Sequence, residues 1–196
     1  MKRIRWIIAA LVVVLLIAGG FYWRSMRHPS PNSAGTPQGG DFTLQSADGP
    51  RSLHDFRGKV VLLYFGYTFC PDICPTTLTL IGQALSSLSP AQQAKIQGIF
   101  VTVDPARDTA RKMKAYVRYF YPGLIGLTGN PQEIAAVARR YGVVYRKHEE
   151  KSGGYLIDHS AFIYLIGRHG TLRRTLPHGV PAATIAAALR QLLRQP

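Results

Sequence analysis

Cysteine is scarce in this 196-residue chain: Cys70 and Cys74 are the only two. No disulfide framework is available, so the fold must rest on an apolar core and both thiols are free for chemistry. A structural zinc site with its usual four protein ligands is short of sulfur as well. Acidic residues are few, 10 against 24 lysines and arginines, for a net charge of +14. Concentrated on one face, that charge would fit nucleic acid. It is not concentrated: Lys2, Arg3, Arg5, Arg24 and Arg27 flank an apolar run, and most of the rest are dispersed, apart from Arg111, Lys112, Lys114 and Arg118. Attraction to an acidic protein or to anionic lipid is the better use of the excess. No nucleic-acid partner is expected.

Charge is absent from Trp6 to Trp23, an 18-residue run reading WIIAALVVVLLIAGGFYW. As a helix rising about 1.5 Å per residue it would span roughly 27 Å, close to the hydrocarbon thickness of a bilayer. Trp6, Tyr22 and Trp23 sit at its ends, where amphipathic rings favour the interface, and the flanking charges favour a cytoplasmic N-terminus. A cleaved signal would need an A-x-A site, for which Ala18-Gly19-Gly20 is a poor substitute. No cysteine stands here for lipidation, and no Arg- and Ser-rich presequence opens the chain. Residues 1–28 are therefore expected to be an uncleaved, single-pass membrane anchor with its apolar span at 6–23. The Pro- and Gly-rich text from His28 to Gly40 makes 29–40 a flexible linker. Residues 41–196 form the domain, expected in the periplasm of a bacterium at its inner membrane, where thiols can oxidise.

About 155 residues suffice for one core that buries roughly two-thirds of the surface exposed on unfolding. Strands and helices alternate, the sign of an α/β sheet. Asp41–Leu44 and Arg51–Leu53 flank an Ala-Asp-Gly turn and read as a hairpin. Lys59–Gly66 is a continuous apolar run, as in a strand buried on both faces. A helix is expected from Pro75 to about Leu88, and a strand over Ile96–Val103. Asp108 or Thr109 then caps a helix reaching Phe120. Leu124–Leu127 is extended, Pro131 opens a helix that ends at Gly142, and Val143–Tyr145 and Ala161–Ile166 read as strands. Lys151–Gly154 is a polar loop, Thr171–Thr175 a strand and Pro181–Leu193 the closing helix. No repeat and no further low-complexity tract occurs. A strand followed at once by a cysteine pair and a helix points to a thioredoxin-like arrangement.

The cysteine text is Gly66-Tyr67-Thr68-Phe69-Cys70-Pro71-Asp72-Ile73-Cys74-Pro75. Functional sites of open α/β sheets collect at the carboxyl ends of strands, where Cys70 falls. Cys74 stands at the mouth of a helix, whose positive end favours a thiolate. Two residues between cysteines is the spacing of disulfide oxidoreductases. Three leave a wider loop, in which the sulfurs can converge on a metal as well as bond to each other; a two-thiolate site suits Cu(I) or zinc.

Among six histidines, His159 stands apart. It lies in Tyr155-Leu156-Ile157-Asp158-His159-Ser160, immediately before the apolar run Ala161–Ile166. In a thioredoxin-like sheet the loop entering that strand passes beside the cysteine loop, and the oxidoreductases of the fold place a proline there. No proline occurs between Tyr155 and Ile166; an imidazole takes the slot. Cys70, Cys74 and His159 make an S₂N set suited to copper in either oxidation state, with Asp158 a candidate to steer the ring. A surface loop histidine is the plain alternative.

These residues resemble the SCO/SenC family of copper-binding proteins. The resemblance runs from about Gly40 to Leu193 and rests on GGDFTL, GKVVLLYFGYTFCPDICP, VTVDPARDT, LTG and DHSAFIYLI. It implies a thioredoxin-like fold with an N-terminal β-hairpin, behind a transmembrane helix, and a copper site made by Cys70, Cys74 and His159. It implies a metallochaperone that supports assembly of the dinuclear copper centre of cytochrome c oxidase subunit II, or that reduces the cysteines of that acceptor. A copper-donor chaperone or a thioredoxin-like reductant would be further partners. The chain is then not primarily an enzyme; if redox-active, it uses Cys70 to attack and Cys74 to resolve. A peroxiredoxin-like peroxidase is disfavoured, because GYTF before Cys70 lacks the Thr-x-x-Cys spacing. In VTVDPARDT, Asp104-Pro105 reads as a turn and Asp108 as a helix cap.

Overall fold

The computed structural model describes residues 19–20, 38–150 and 153–195. The chain divides into two compact units, Met1–Ser33 and Ala34–Pro196. Of the first, only Gly19 and Gly20 are described, and both are helical. Among the described residues no helix is long and apolar enough to cross a membrane; the expected span at 6–23 lies, those two glycines apart, outside them.

In the second unit β1 (Thr43–Ser46) and β2 (Gly49–Ser52) form an antiparallel hairpin. The turn between them holds Ala47 and Asp48, and Gly49 takes the positive φ of 104° that a residue with a Cβ would resist. A short 3₁₀ turn, Leu53–Phe56, leads into β3 (Val60–Gly66), every residue of which is buried. Then come α1 (Ile73–Ser86), the one-turn α2 (Pro90–Gln93) and β4 (Ile96–Thr102), parallel to β3. After α3 (Ala110–Phe120), β5 (Ile125–Leu127) adds a further parallel strand. A helix, α4 (Pro131–Arg140), precedes a second hairpin of β6 (Tyr145–Glu149) and β7 (Tyr155–His159). The chain closes with β8 (Phe162–Ile166), β9 (Leu172–Pro177) and α5 (Ala182–Leu193).

The central sheet has the order β5-β4-β3-β8-β9, with β8 antiparallel to β3 and β9 to β8. Hydrophobic residues at every position of β3 follow from its place in the middle. Successive side chains point to opposite faces, so both faces must be apolar. Tyr64 stacks on Phe100 on one face, while Phe65 meets Tyr141 and Tyr164 on the other. Each fully buried aliphatic side chain here contributes about 1.5–3 kcal/mol. Together with α1 packed on α3 and α5, this is a thioredoxin-like α/β fold with an N-terminal β-hairpin.

Four differences from the sequence expectations bear on function. The first helix starts at Ile73, not Pro75, so Cys74 is already inside its first turn. Thr109 alone caps α3, accepting from Lys112 N–H; Asp108 is buried and bonded elsewhere. The stretch before Ala161, expected to be a loop, is a strand, β7, paired with β6, and His159 is its last residue. Asp158, on the opposite face of that strand, is exposed and pairs with His148 at 2.6 Å. It does not touch the His159 ring and cannot steer it.

Candidate metal centre

The fold brings the three expected ligands together. The Cys70 and Cys74 sulfurs and a His159 ring nitrogen all lie within 4.8 Å of one another. Cys74 Sγ is 3.3 Å from His159 Nε2, and Cys74 N–H points at Cys70 Sγ over 3.4 Å. Two atoms bound to one metal at about 2.3 Å for sulfur and about 2.1 Å for nitrogen can stand up to about 4.4 Å apart. The set is close to coordinating geometry.

Each ligand has its own support. Cys74 is fully buried, its sulfur lying over the end of β3. Gly66 makes room for it, since a Cβ there would come within 2.5 Å of the sulfur. Tyr64 Oη lies 4.0 Å behind the sulfur as a weak donor. His159 Nδ1 is 3.1 Å from the Ser160 carbonyl. A carbonyl only accepts, so Nδ1 carries the proton and Nε2 turns its lone pair toward the sulfurs. The edge of Tyr67 braces the ring at 5.9 Å between centroids.

The two thiols are electrostatically unequal. The hydrogen bond from the Cys74 thiol, with lesser contributions from the neighbouring His159 ring and the Cys74 N–H, brings Cys70 from 9.0 down to about 4, against the opposing effect of burial. The same shared proton, with burial behind it, pushes Cys74 well above the ordinary thiol range. The pair thus holds one proton, on the inner sulfur, and presents a thiolate at the half-buried outer one. Alkylation of the metal-free, reduced protein by iodoacetamide should occur at Cys70 alone. Because the folded pKa is depressed, its rate should stay level from about pH 8 to pH 5 and fall only as pH drops through about 4. An ordinary thiol would slow about tenfold for each unit below its pKa. Peptide mapping across that pH range reads the result.

The loops are pinned by two carboxylates, Asp104 and Asp108, whose local sequence suggests only a turn and a cap. Asp108, fully buried, accepts from the backbone N–H and hydroxyl of Thr68 and from the Thr102 hydroxyl at 2.7 Å. It ties the loop before Cys70 to the end of β4. Asp104, also buried, accepts from Arg107 and, at 2.8 Å, from the Tyr155 hydroxyl. Arg107 in turn donates to the Tyr155 carbonyl at 2.9 Å and lies 3.6 Å over that ring. The Tyr67 hydroxyl accepts from Ile157 N–H at 3.1 Å. These contacts clamp β7, and with it His159, against the cysteine side of the molecule. In the sequence these residues stand in VTVDPARDT, one of the motifs of the family resemblance, whose density of charge beside an apolar strand is the local signal.

The site opens through a groove of about 440 Å³ lined by Tyr67, Cys70, Ile73, Leu156, Ile157 and His159 among others. Of its lining residues Ile73 is 40 % exposed, and Phe69, next to Cys70 in the chain, is 53 % exposed. A cleft next to two thiols and an imidazole can admit another protein's ligand group.

Fold and site together define a class: a thioredoxin-fold protein with a paired-thiol and imidazole centre in place of a two-residue dithiol loop. The SCO1/SenC family model matches residues 30–194, and the chain belongs to the SCO1/SenC family. The "Protein SCO1 homolog 1, mitochondrial" of Arabidopsis thaliana is 43 % identical over 137 residues, 69 % of this chain and 41 % of its own length. An SCO2-like protein of Rickettsia conorii is 38 % identical over 82 % of this chain and 84 % of its own. The chain thus spans less than half of the Arabidopsis relative. Among solved structures, Arabidopsis thaliana ScoI with copper bound superposes with a TM-score of 0.75 at 37 % identity, covering 81 % of this chain and 99 % of that one. Bradyrhizobium japonicum ScoI with copper bound gives 0.73 at 39 % identity, over 79 % and 99 %.

Proposed function

We propose that this chain is a copper metallochaperone that holds one copper ion between Cys70 Sγ, Cys74 Sγ and His159 Nε2. The observation that carries the reading is the convergence of those three atoms within 4.8 Å at the mouth of one groove. Copper-bound relatives in the same family support it. Two thiolates suit Cu(I), and the added imidazole lets the same site keep Cu(II). The cargo is handed on by ligand exchange: an incoming thiolate displaces the outer Cys70 first and the buried Cys74 last. The acceptor is the dinuclear copper centre in subunit II of cytochrome c oxidase, and a separate copper-donor chaperone loads the site. Residues 1–28 anchor the chain as a single pass in a bacterial inner membrane, with the domain in the periplasm.

The inequality of the thiols favours one second reading, a thiol–disulfide reductase acting on the same acceptor. Cys70 thiolate attacks an acceptor disulfide, forming a mixed disulfide and releasing one acceptor thiolate. Cys74 then loses its proton and attacks Cys70 Sγ, which forms the internal disulfide and releases the second acceptor thiol. Two electrons have passed to the acceptor, and a thioredoxin-like reductant restores the pair.

Anaerobic purification of the full chain, followed by addition of Cu(II) and metal analysis, separates the readings. The chaperone reading expects one copper per chain and a sulfur-to-copper charge-transfer band. A protein that reduces an acceptor disulfide but retains no copper leaves only the reductase.

A further inference from the structure

The metal centre occupies one end of the sheet; the other end is basic. Backbone bonds and register fix which residues gather there. Lys59 precedes β3, Gly58 N–H donates to the Arg168 carbonyl, and Val60 N–H donates to the Lys95 carbonyl. Arg168 reaches the Leu193 carbonyl at the end of α5, next to Arg194. The Arg57 guanidinium lies against Gly170, and Arg173 lies against Gly167. Arg57, Lys95, Arg173 and Arg194 are exposed, Lys59 and Arg168 half-exposed. Across the seven residues of β3, at about 3.3 Å per residue, the ends of the sheet are about 20 Å apart.

Little negative charge offsets this end. Asp41 pairs with Arg57 at 2.9 Å, and Asp55 is engaged by Ser52 N–H. From Ser160 to Pro196 there are five arginines and no aspartate or glutamate. A groove of about 420 Å³ between β9 and α5 has Arg173 and Arg174 in its wall. The chain also joins the domain at this end. Gly39 lies against Leu172, the first residue of β9, and Asp41 meets Arg57. Thirty-seven residues precede Gln38, among them the apolar run of Trp6–Trp23.

We propose that this basic end is a docking surface for an anionic phospholipid bilayer, resting the domain on headgroup phosphates with the metal centre turned to the aqueous side. The proposal rests on the membrane reading for its setting. Its own grounds are charge complementarity and the point at which the N-terminal segment meets the domain. Basic side chains are drawn to an anionic surface over about a Debye length, so the contact should be salt-sensitive. The orientation leaves the groove beside Cys70 open to a protein acceptor.

Lysines at both ends provide an internal control. Lys59 and Lys95 mark the basic end, whereas Lys112 lies over Phe69 and Lys147 over Tyr155, beside the site. The full chain is reconstituted into vesicles of phosphatidylcholine alone or with phosphatidylglycerol, treated with an impermeant amine-acylating reagent, and mapped by peptide mass. On phosphatidylglycerol, Lys59 and Lys95 should react several-fold more slowly relative to Lys112 and Lys147. The ratio should return to its phosphatidylcholine value in 0.5 M salt. Arg173→Gln with Arg194→Gln should remove most of the protection; an unchanged Lys112 and Lys147 rate shows that this variant is folded. Equal ratios on both lipids, or protection of Lys112 and Lys147 instead, overturn the proposal. So does equal protection by soluble polyglutamate without vesicles, which would assign the surface to an acidic protein. Failure of the membrane reading has a different sign: the chain then does not float with phosphatidylcholine vesicles, while salt-sensitive flotation with phosphatidylglycerol still supports the basic end.

Discussion

Asp108→Ala should unfold the protein more easily by about 3–5 kcal/mol, the range for removing one member of a buried, charge-assisted network. Three donors lose their acceptor at once: Thr68 N–H, the Thr68 hydroxyl and the Thr102 hydroxyl. None has another acceptor among the hydrogen bonds around it, and water reaches Asp108 poorly, because the residue is fully buried. Lys112, 3.4 Å from the carboxylate and partly exposed, can turn to solvent and adds little to the loss. At about 2–4 °C per kcal/mol for a chain of this size, the melting temperature should fall by roughly 10 °C. Asp108→Asn keeps one acceptor oxygen and should cost less, about 1–3 kcal/mol. Thermal and urea unfolding of the metal-free reduced protein measure both. A change below about 1 kcal/mol in the alanine variant would mean that the cysteine loop is held by something other than this carboxylate.

The other large effect is on binding and not on folding. His159→Ala should weaken Cu(II) binding by more than the 10- to 100-fold that loss of a mere outer partner costs, and shift the charge-transfer band. Cu(I), satisfied by two soft thiolates, should be held within about tenfold of the original affinity. The contrast follows from the geometry: Nε2 stands 3.3 Å from Cys74 Sγ with Nδ1 committed to the Ser160 carbonyl. Stability should change little, since His159 is half-exposed at the end of β7 and its ring bonds only the Ser160 carbonyl and the Cys74 sulfur. Competition titrations against chelators for each oxidation state give the two affinities. Equal losses for Cu(I) and Cu(II) would place the histidine in a general structural role.

The contrast between the two expectations mirrors what the amino-acid order discloses. Cys70, Cys74 and His159 were legible, the cysteines from their position after a run of seven apolar residues and the histidine from the apolar strand behind it. The β3 and β4 strands were equally plain, because burial on both faces leaves no polar interruption. The β6–β7 hairpin was not. Tyr145–Glu149 reads YRKHE and is largely exposed on both faces, so it carries no alternation to find. Missing that strand pairing also misplaced Asp158. Once Tyr155–His159 is a strand, neighbours point to opposite faces, and Asp158 has to look away from the centre. Asp104 reads locally as a turn residue and Asp108 as a cap, whereas the partners through which they pin the loops include residues tens of positions away in sequence. Thr68 lies 40 residues from Asp108, and Tyr155 lies 51 from Asp104. No local pattern encodes a contact of that range.

X-ray absorption at the copper edge, on the full chain loaded with one equivalent of Cu(II) and beside it His159→Ala, tests the shared centre most directly. Two sulfur neighbours and one imidazole nitrogen are expected in the first, with the nitrogen lost and both sulfurs kept in the second. A single sulfur, or an imidazole signal that survives the substitution, would contradict a copper site built from these three residues.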